Sequence, residues 1–152
     1  MAVDIERALA LTLPTFTVDV ERGRLRLFAR VIGETDPIYT DVEAARAAGH
    51  PDLPVPPTFF FSLILEAPSP FGYFDELGID LRRVLHGEQA FEYVAMAYAG
   101  DTVEISERVV DVTVKRGGAL EFVTKETEFR RGTELLAKAT NVAVVRNPEV
   151  TA

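Results

Sequence analysis

The chain has 152 residues, of which 47% are hydrophobic, and this size and composition are typical of one globular domain over residues 1–152. The absence of cysteine excludes disulfides and thiolate chemistry, and with only two histidines neither a metal site nor a cofactor is expected. The net charge of −8 makes nucleic acid and anionic membranes poor partners. With no signal-peptide pattern at the N-terminus and no apolar run of about 20 residues, the sequence predicts a cytoplasmic protein.

The first half of the chain predicts mainly helices. After a short strand at residues 16–18, the apolar residues between 21 and 32 recur on one helical face, which predicts a helix. Residues 58–65 read TFFFSLIL, and Pro57 immediately before them suits a first helical turn. Because this run is apolar on all sides, it predicts a central helix near residues 57–66 that the rest of the protein encloses. Residues 66–80 then predict a loop with three aromatic side chains.

The second half of the chain predicts a sheet. Between Gln89 and Arg146, runs of Val, Thr, Phe and Tyr are separated by turns that contain glycine, which is typical of long antiparallel strands joined by hairpins. An antiparallel sheet packed around one apolar helix accounts for both halves, so the sequence predicts a fold of the α+β class.

Four segments, in their order and spacing, resemble the MaoC-like hot-dog proteins, and in particular the N-terminal type of MaoC dehydratase domain. They are residues 28–41 (FARVIGETDPIYTD), 55–59 (VPPTF), 85–89 (LHGEQ) and 99–103 (AGDTV). The resemblance implies a hot-dog fold, in which an antiparallel sheet wraps round a central helix, and pairing of two such domains through their sheets. It also implies a hydro-lyase, because active relatives hydrate trans-2-enoyl thioesters or dehydrate 3-hydroxyacyl thioesters carried on CoA or acyl carrier protein.

The catalytic positions of this family are altered in the chain. Active relatives have an Asp, a His five residues later, and a Gly at the start of the central helix whose backbone N–H stabilises the enolate oxygen. This sequence has Glu34, Tyr39 and Pro57 at those positions. Tyrosine is a poor base at neutral pH, and proline has no N–H to donate. We therefore predict that the chain alone does not assemble the usual catalytic centre, and that Glu34 and Tyr39 are either remnants of the pocket or structural residues.

The other candidate site residues are polar or aromatic. His86 and Glu88 are two residues apart, so on a regular strand they share one face, either as a polar pair near the thioester or as a structural hydrogen-bonded pair. The candidate acyl-binding residues are Pro57, Thr58, Phe59, Phe71, Tyr73 and Phe74. In one interpretation the aromatic side chains line an acyl tunnel beside the central helix, and in the other they fill the core or plug the cavity.

Three functions remain open from the sequence. The favoured one is the non-catalytic, acyl-binding half of a 3-hydroxyacyl dehydratase or enoyl hydratase, in a heterodimer with a catalytic hot-dog subunit. The alternative is an active homodimer or larger homo-oligomer, an enoyl-CoA hydratase that uses Glu34, Tyr39, His86 or Glu88 in a rearranged site. A thioesterase on the same fold is least favoured, because residues 28–41 follow the hydratase pattern. The expected ligand is an acyl-CoA or acyl-carrier-protein thioester.

Overall fold

The architecture is an antiparallel sheet with short helices packed on it. The structure, a computed structural model, describes residues 3–148, so the outer limits of the domain expected over residues 1–152 lie outside the described residues. The strands are β1 (Phe16–Asp19), β2 (Val84–Tyr93), β3 (Thr102–Lys115), β4 (Leu120–Arg131) and β5 (Glu134–Arg146). The helices are α1 (Ile5–Ala10), α2 (Arg22–Val31), α3 (Val42–Ala47), α4 (Phe59–Ile64) and α5 (Gly72–Glu76).

All strand pairs of the sheet are antiparallel, and the strand order is β1-β3-β4-β5-β2. The three central strands have 12 to 14 residues each and are joined by the glycine-containing turns that the sequence predicted. Two strands lie at the edges: the four-residue β1 and the ten-residue β2. The predicted strand at residues 16–18 is therefore confirmed, and the predicted sheet begins slightly earlier than expected, at Val84.

Helix α4 is the central helix that the apolar run predicted. Phe59, Phe60, Leu63 and Ile64 are buried, and the ring of Phe60 contacts that of Phe129 on β4 edge-to-face, with ring centres 4.9 Å apart. The helix is shorter than the expected residues 57–66, although the chain continues in tight turns beyond it. A sheet that packs around one buried helix is the hot-dog arrangement, so the expected α+β hot-dog fold is confirmed.

The segment 66–80, expected to be a loop, contains helix α5. Tyr73, Phe74 and Leu77 are buried against the sheet on one side of this helix, in a second apolar cluster separate from that of α4. The backbone N–H of Leu77 donates to the carbonyl of Tyr73, which closes the single full turn. Proline, serine and glycine surround the turn in the sequence, and these residues concealed its helical spacing.

A buried carboxylate on β4 holds both ends of the described chain. The side chain of Glu121 is fully buried, and its two oxygens accept from the backbone N–H of Val3 at 2.8 Å and from the amide of Asn147 at 2.7 Å. These charge-assisted bonds fix the segment before α1 and the segment after β5 on the same strand. Among residues 3–148, no helix has the length and apolar character needed to cross a bilayer.

Candidate functional site

The segment that corresponds to the family's catalytic motif is a loop held by its own carboxylates. One oxygen of Glu34 accepts from the backbone N–H of Thr35 at 2.8 Å and from that of Asp36 at 2.9 Å. The carboxylate of Asp36 in turn accepts from the N–H of Ile38 and caps a single 3-10 turn, Pro37–Tyr39. Oε1 of Glu34 is therefore engaged by two backbone donors, which hold the carboxylate against its own loop.

Tyr39 and Pro57 come together at a cavity of about 370 Å³, which we call the Tyr39 cavity. It is lined by Tyr39, Val55, Pro57, Phe60, Tyr93, Val94, Ala95, Met96 and Ala97. Partial burial and the carboxylates of Glu34 and Asp36 raise the pKa of Tyr39, so its hydroxyl stays protonated at neutral pH and is no base. None of these lining residues is an acid or a histidine.

A second cavity, of about 190 Å³, lies between α4, α5 and the sheet; we call it the Lys125 cavity. It is lined by Phe61, Ile64, Leu65, Pro70, Phe71, Tyr73, Phe74, Leu81, Val84, Leu85, His86, Gln89, Lys125, Asn141 and Ala143. Phe71, Tyr73 and Phe74, predicted to line an acyl tunnel, are among them; Tyr73 and Phe74 lie on α5, and Phe71 lies immediately before it. The candidates Thr58 and Phe59 line neither cavity: Thr58 is exposed, and Phe59 packs in the core against Phe28, with ring centres 5.2 Å apart.

The interpretation that His86 and Glu88 share one face is wrong, because β2 has a β-bulge between them. His86 pairs with Ala143 on β5, whereas Glu88 pairs with Val142, so the two side chains lie on opposite faces of the sheet. A Cβ on residue 87 would lie 2.7 Å from the Val144 side chain and 3.0 Å from the backbone oxygen of Val142. This lack of space explains why the position is occupied by glycine. The bulge brings His86, not Glu88, to the Lys125 cavity.

His86 belongs to a polar group at the mouth of the Lys125 cavity. The Asn141 amide nitrogen lies 3.2 Å from His86 Nε2 and donates to the side-chain oxygen of Gln89 at 3.2 Å. The imidazole ring also packs against Phe61, with ring centres 5.4 Å apart. Among the described residues, the side chain that His86 meets at hydrogen-bond distance is thus the amide of Asn141, and not a carboxylate.

Sequence reasoning missed the buried ion pair at the inner wall of this cavity. Lys125 Nζ lies 2.7 Å from Glu107 Oε1, and the two side chains are only 6% and 7% exposed. The ammonium also faces the ring of Tyr73, whose centre is 4.8 Å away. Burial, and secondarily the Glu107 carboxylate, raise the pKa of Tyr73, so its hydroxyl stays neutral. Among residues 3–148, no three acidic or histidine side chains are grouped as metal ligands would be.

Comparison with known proteins identifies the family. The FAS1-like, dehydratase domain region matches residues 11–138 of the chain. The chain belongs to this family of MaoC-like hot-dog dehydratases. A UPF0336 protein of Streptomyces coelicolor is 35% identical over 137 residues, an alignment that covers 86% of this chain and 91% of the relative.

Two solved structures share the fold across most of the chain. A chain of the C-terminally truncated HadBC complex, a (3R)-hydroxyacyl-ACP dehydratase from Mycobacterium tuberculosis, superposes with a TM-score of 0.75 at 22% identity, over 88% of this chain and 92% of that one. A chain of the ChsH1–ChsH2 complex from the same organism superposes with a TM-score of 0.75 at 23% identity, over 94% and 93%. These similarities confirm the hot-dog fold.

Proposed function

We propose that the chain is the non-catalytic, acyl-binding half of a 3-hydroxyacyl thioester dehydratase or enoyl thioester hydratase, completed by a second, catalytic hot-dog subunit. The observation that carries this proposal is that the altered catalytic positions lack the usual groups. The Glu34 carboxylate is bound by two backbone N–H groups of its own loop, and Pro57 has no backbone N–H to donate to an enolate oxygen. Hydration of an enoyl thioester requires a base for the water and a donor for the enolate oxygen. The side chains that line the Tyr39 cavity supply no base, and the hydroxyls of Tyr39 and Tyr93 are their only hydrogen-bond donors.

The Lys125 cavity supports the acyl-binding part of the proposal. Its walls are mostly apolar and come from the central helix, from α5 and from the concave face of the sheet. An acyl chain that enters such a cavity gains about 0.8 kcal/mol for each buried methylene, before the cost of ordering the chain. Of the residues that line the cavity, the exposed His86 and the half-buried Gln89 lie on the edge strand β2. We propose that an acyl group from a partner paired with β2 enters the cavity at this strand.

The edge strand β2 supports the proposal that a second subunit binds. Ten residues of β2 pair with β5 on one side, and the strand ends the sheet on the other, which leaves its outer backbone groups available to another strand. Leu85, Tyr93, Val94 and Met96, on this strand and just beyond it, are each about half exposed. An apolar, unpaired edge is a typical subunit interface. The two complexes with the same fold, HadBC and ChsH1–ChsH2, are named as assemblies of two kinds of subunit, which favours a heteromeric partner here.

The test is an assay of the purified chain with crotonyl-CoA and 2-octenoyl-CoA, with the molecular mass measured in parallel. Absence of an oxyanion donor costs about 10²–10³ in rate, and absence of a general base costs about 10²–10⁴ more, so we expect almost no turnover from the chain alone. Addition of a hot-dog subunit with the intact Asp-to-His spacing should restore turnover. Fast turnover by the chain alone that is lost in Glu34→Gln would instead establish the active homo-oligomer.

Acyl binding is tested separately by calorimetry with acyl-CoAs of two to sixteen carbons. Affinity should rise with chain length until the Lys125 cavity is full. The exposed Phe71 lies at the cavity wall, so Phe71→Ala should shift that length limit without unfolding the protein. Equal affinity along the whole series would show that the cavity is closed to acyl chains and that its aromatic residues serve the core or an interface.

A further inference from the structure

A row of polar side chains crosses the sheet beneath the Lys125 cavity. Lys125 on β4 stands directly opposite Asn141 on β5, which stands opposite Gln89 on β2, and all three line the cavity. Neighbouring strands lie about 4.8 Å apart, so the row runs about 10 Å from the edge strand to the buried ammonium. The wall that faces it, from α4 and α5, is apolar apart from the hydroxyl of Tyr73. A ligand in this cavity therefore has most of its polar partners along one side.

The ammonium at the inner end of this row has unused donor capacity. A lysine ammonium carries three N–H donors. The Glu107 carboxylate, which also accepts from the hydroxyl of Thr127 at 3.2 Å, takes one of them, and the ring of Tyr73 faces the ammonium from another side. Lys125 is buried, so water does not reach it freely, yet its side chain forms part of the cavity wall. A plain hydrocarbon chain packed against the Lys125 side chain would exclude the remaining water and offer the ammonium no acceptor, which is costly.

We propose that the Lys125 cavity selects acyl chains that carry a neutral oxygen, a ketone or a hydroxyl, at the depth of Lys125. The proposal rests on the proposed function, because it assumes that an acyl thioester enters from the edge strand. With the thioester at that edge, the oxygen lies further along the chain than the two carbons at which hydration occurs. Lys125 and Glu107 together carry no net charge, so a neutral acceptor completes the group, whereas a carboxylate would place an uncompensated negative charge in an apolar site.

The experiment compares the affinities of a matched set of ligands for the full chain by calorimetry. The set contains octanoyl-CoA, its 5-oxo, 6-oxo and 7-oxo forms, 7-hydroxyoctanoyl-CoA, and the CoA thioester of octanedioic acid as the carboxylate probe. A hydrogen bond from a charged donor supports about tenfold tighter binding of one oxo isomer than of octanoyl-CoA. The carboxylate probe should bind more weakly than octanoyl-CoA. Equal affinity for octanoyl-CoA and all oxo isomers would overturn this proposal alone, and binding of no acyl-CoA would overturn the proposed function with it.

A double variant tests whether the ammonium is the cause of the preference. Lys125→Met with Glu107→Gln removes both charges and keeps an acceptor for Thr127, so the preference for the oxo isomer should disappear while octanoyl-CoA still binds. The matched control is Arg108→Met with Glu126→Gln, which removes an exposed ion pair of 2.6 Å between the same two strands, and this control should keep the preference. A preference that survives in the double variant would overturn the proposal. If that variant does not fold, the wild-type ligand series decides the matter alone.

Discussion

Loss of one member of the buried ion pair should harm the fold more than loss of both. The 2.7 Å contact between Lys125 and Glu107 corresponds to about 6 kcal/mol of Coulomb attraction at an effective dielectric constant of about 20. Burial of the two ions costs several kcal/mol each, so the net contribution of the pair to stability is close to zero. Lys125→Met leaves the Glu107 carboxylate buried with only the Thr127 hydroxyl, which we expect to lower the free energy of unfolding by about 3–5 kcal/mol.

The assay is equilibrium unfolding in urea, followed by far-UV circular dichroism. With a denaturant dependence of about 1–3 kcal/mol/M, the midpoint of Lys125→Met should fall by at least about 1 M. Lys125→Met combined with Glu107→Gln should recover most of this loss, and the cycle of single and double variants gives the coupling between the two side chains. A single variant as stable as the wild type, or a double variant less stable than the single one, would refute the reasoning.

Three further outcomes follow from particular contacts and are checked by the same unfolding measurement. Gly87→Ala pushes a Cβ against Val144 and should cost about 1–3 kcal/mol; unchanged stability would show that the bulge relaxes. Glu121→Ala leaves two buried donors unpaired and should cost at least about 2 kcal/mol, whereas Glu126→Ala, on the outer face of the same strand, should cost far less. Hydrogen bonding to Arg22 lowers the Asp52 pKa to about 2, so the stabilisation is present above the ordinary carboxyl pKa and is lost as pH falls toward 2. Asp52→Asn should therefore cost about 1 kcal/mol at pH 7, a value reduced because Arg22 is half exposed, and the cost should disappear only below pH 2.

The fold was predictable because its strongest signals are local and long. The apolar run at residues 58–65 has no polar face, so it had to lie inside the protein, and α4 is found there. The ends of the strands after Gln89 were recognisable in the sequence, because each turn between them contains glycine. Helix α5 was not predictable in the same way, because one turn of five residues offers too few positions for a period to be recognised.

The site was less predictable, because its geometry depends on strand register. A spacing of two residues places side chains on one face only if the strand is regular, and the bulge at Gly87 breaks that rule between His86 and Glu88. The ion pair did have a signal: Lys125 lies two residues from Val123 and from Thr127, so on a regular strand it shares their face, which is the buried one. Its partner could not be identified, because Glu107 lies on another strand.

The bulge in β2 also protects the chain against folding in the wrong register. Beyond it, Phe91 lies on the inner face of the sheet, while Glu88 and Glu92 lie on the outer one. If β2 paired with β5 without the extra residue, both carboxylates would turn into the apolar interior and Phe91 would turn into water. Such a misaligned pair of strands would carry two buried, unpaired charges, so it would be unstable relative to the native register. One glycine thus helps to exclude the wrong register at the strand through which we propose that the subunits pair.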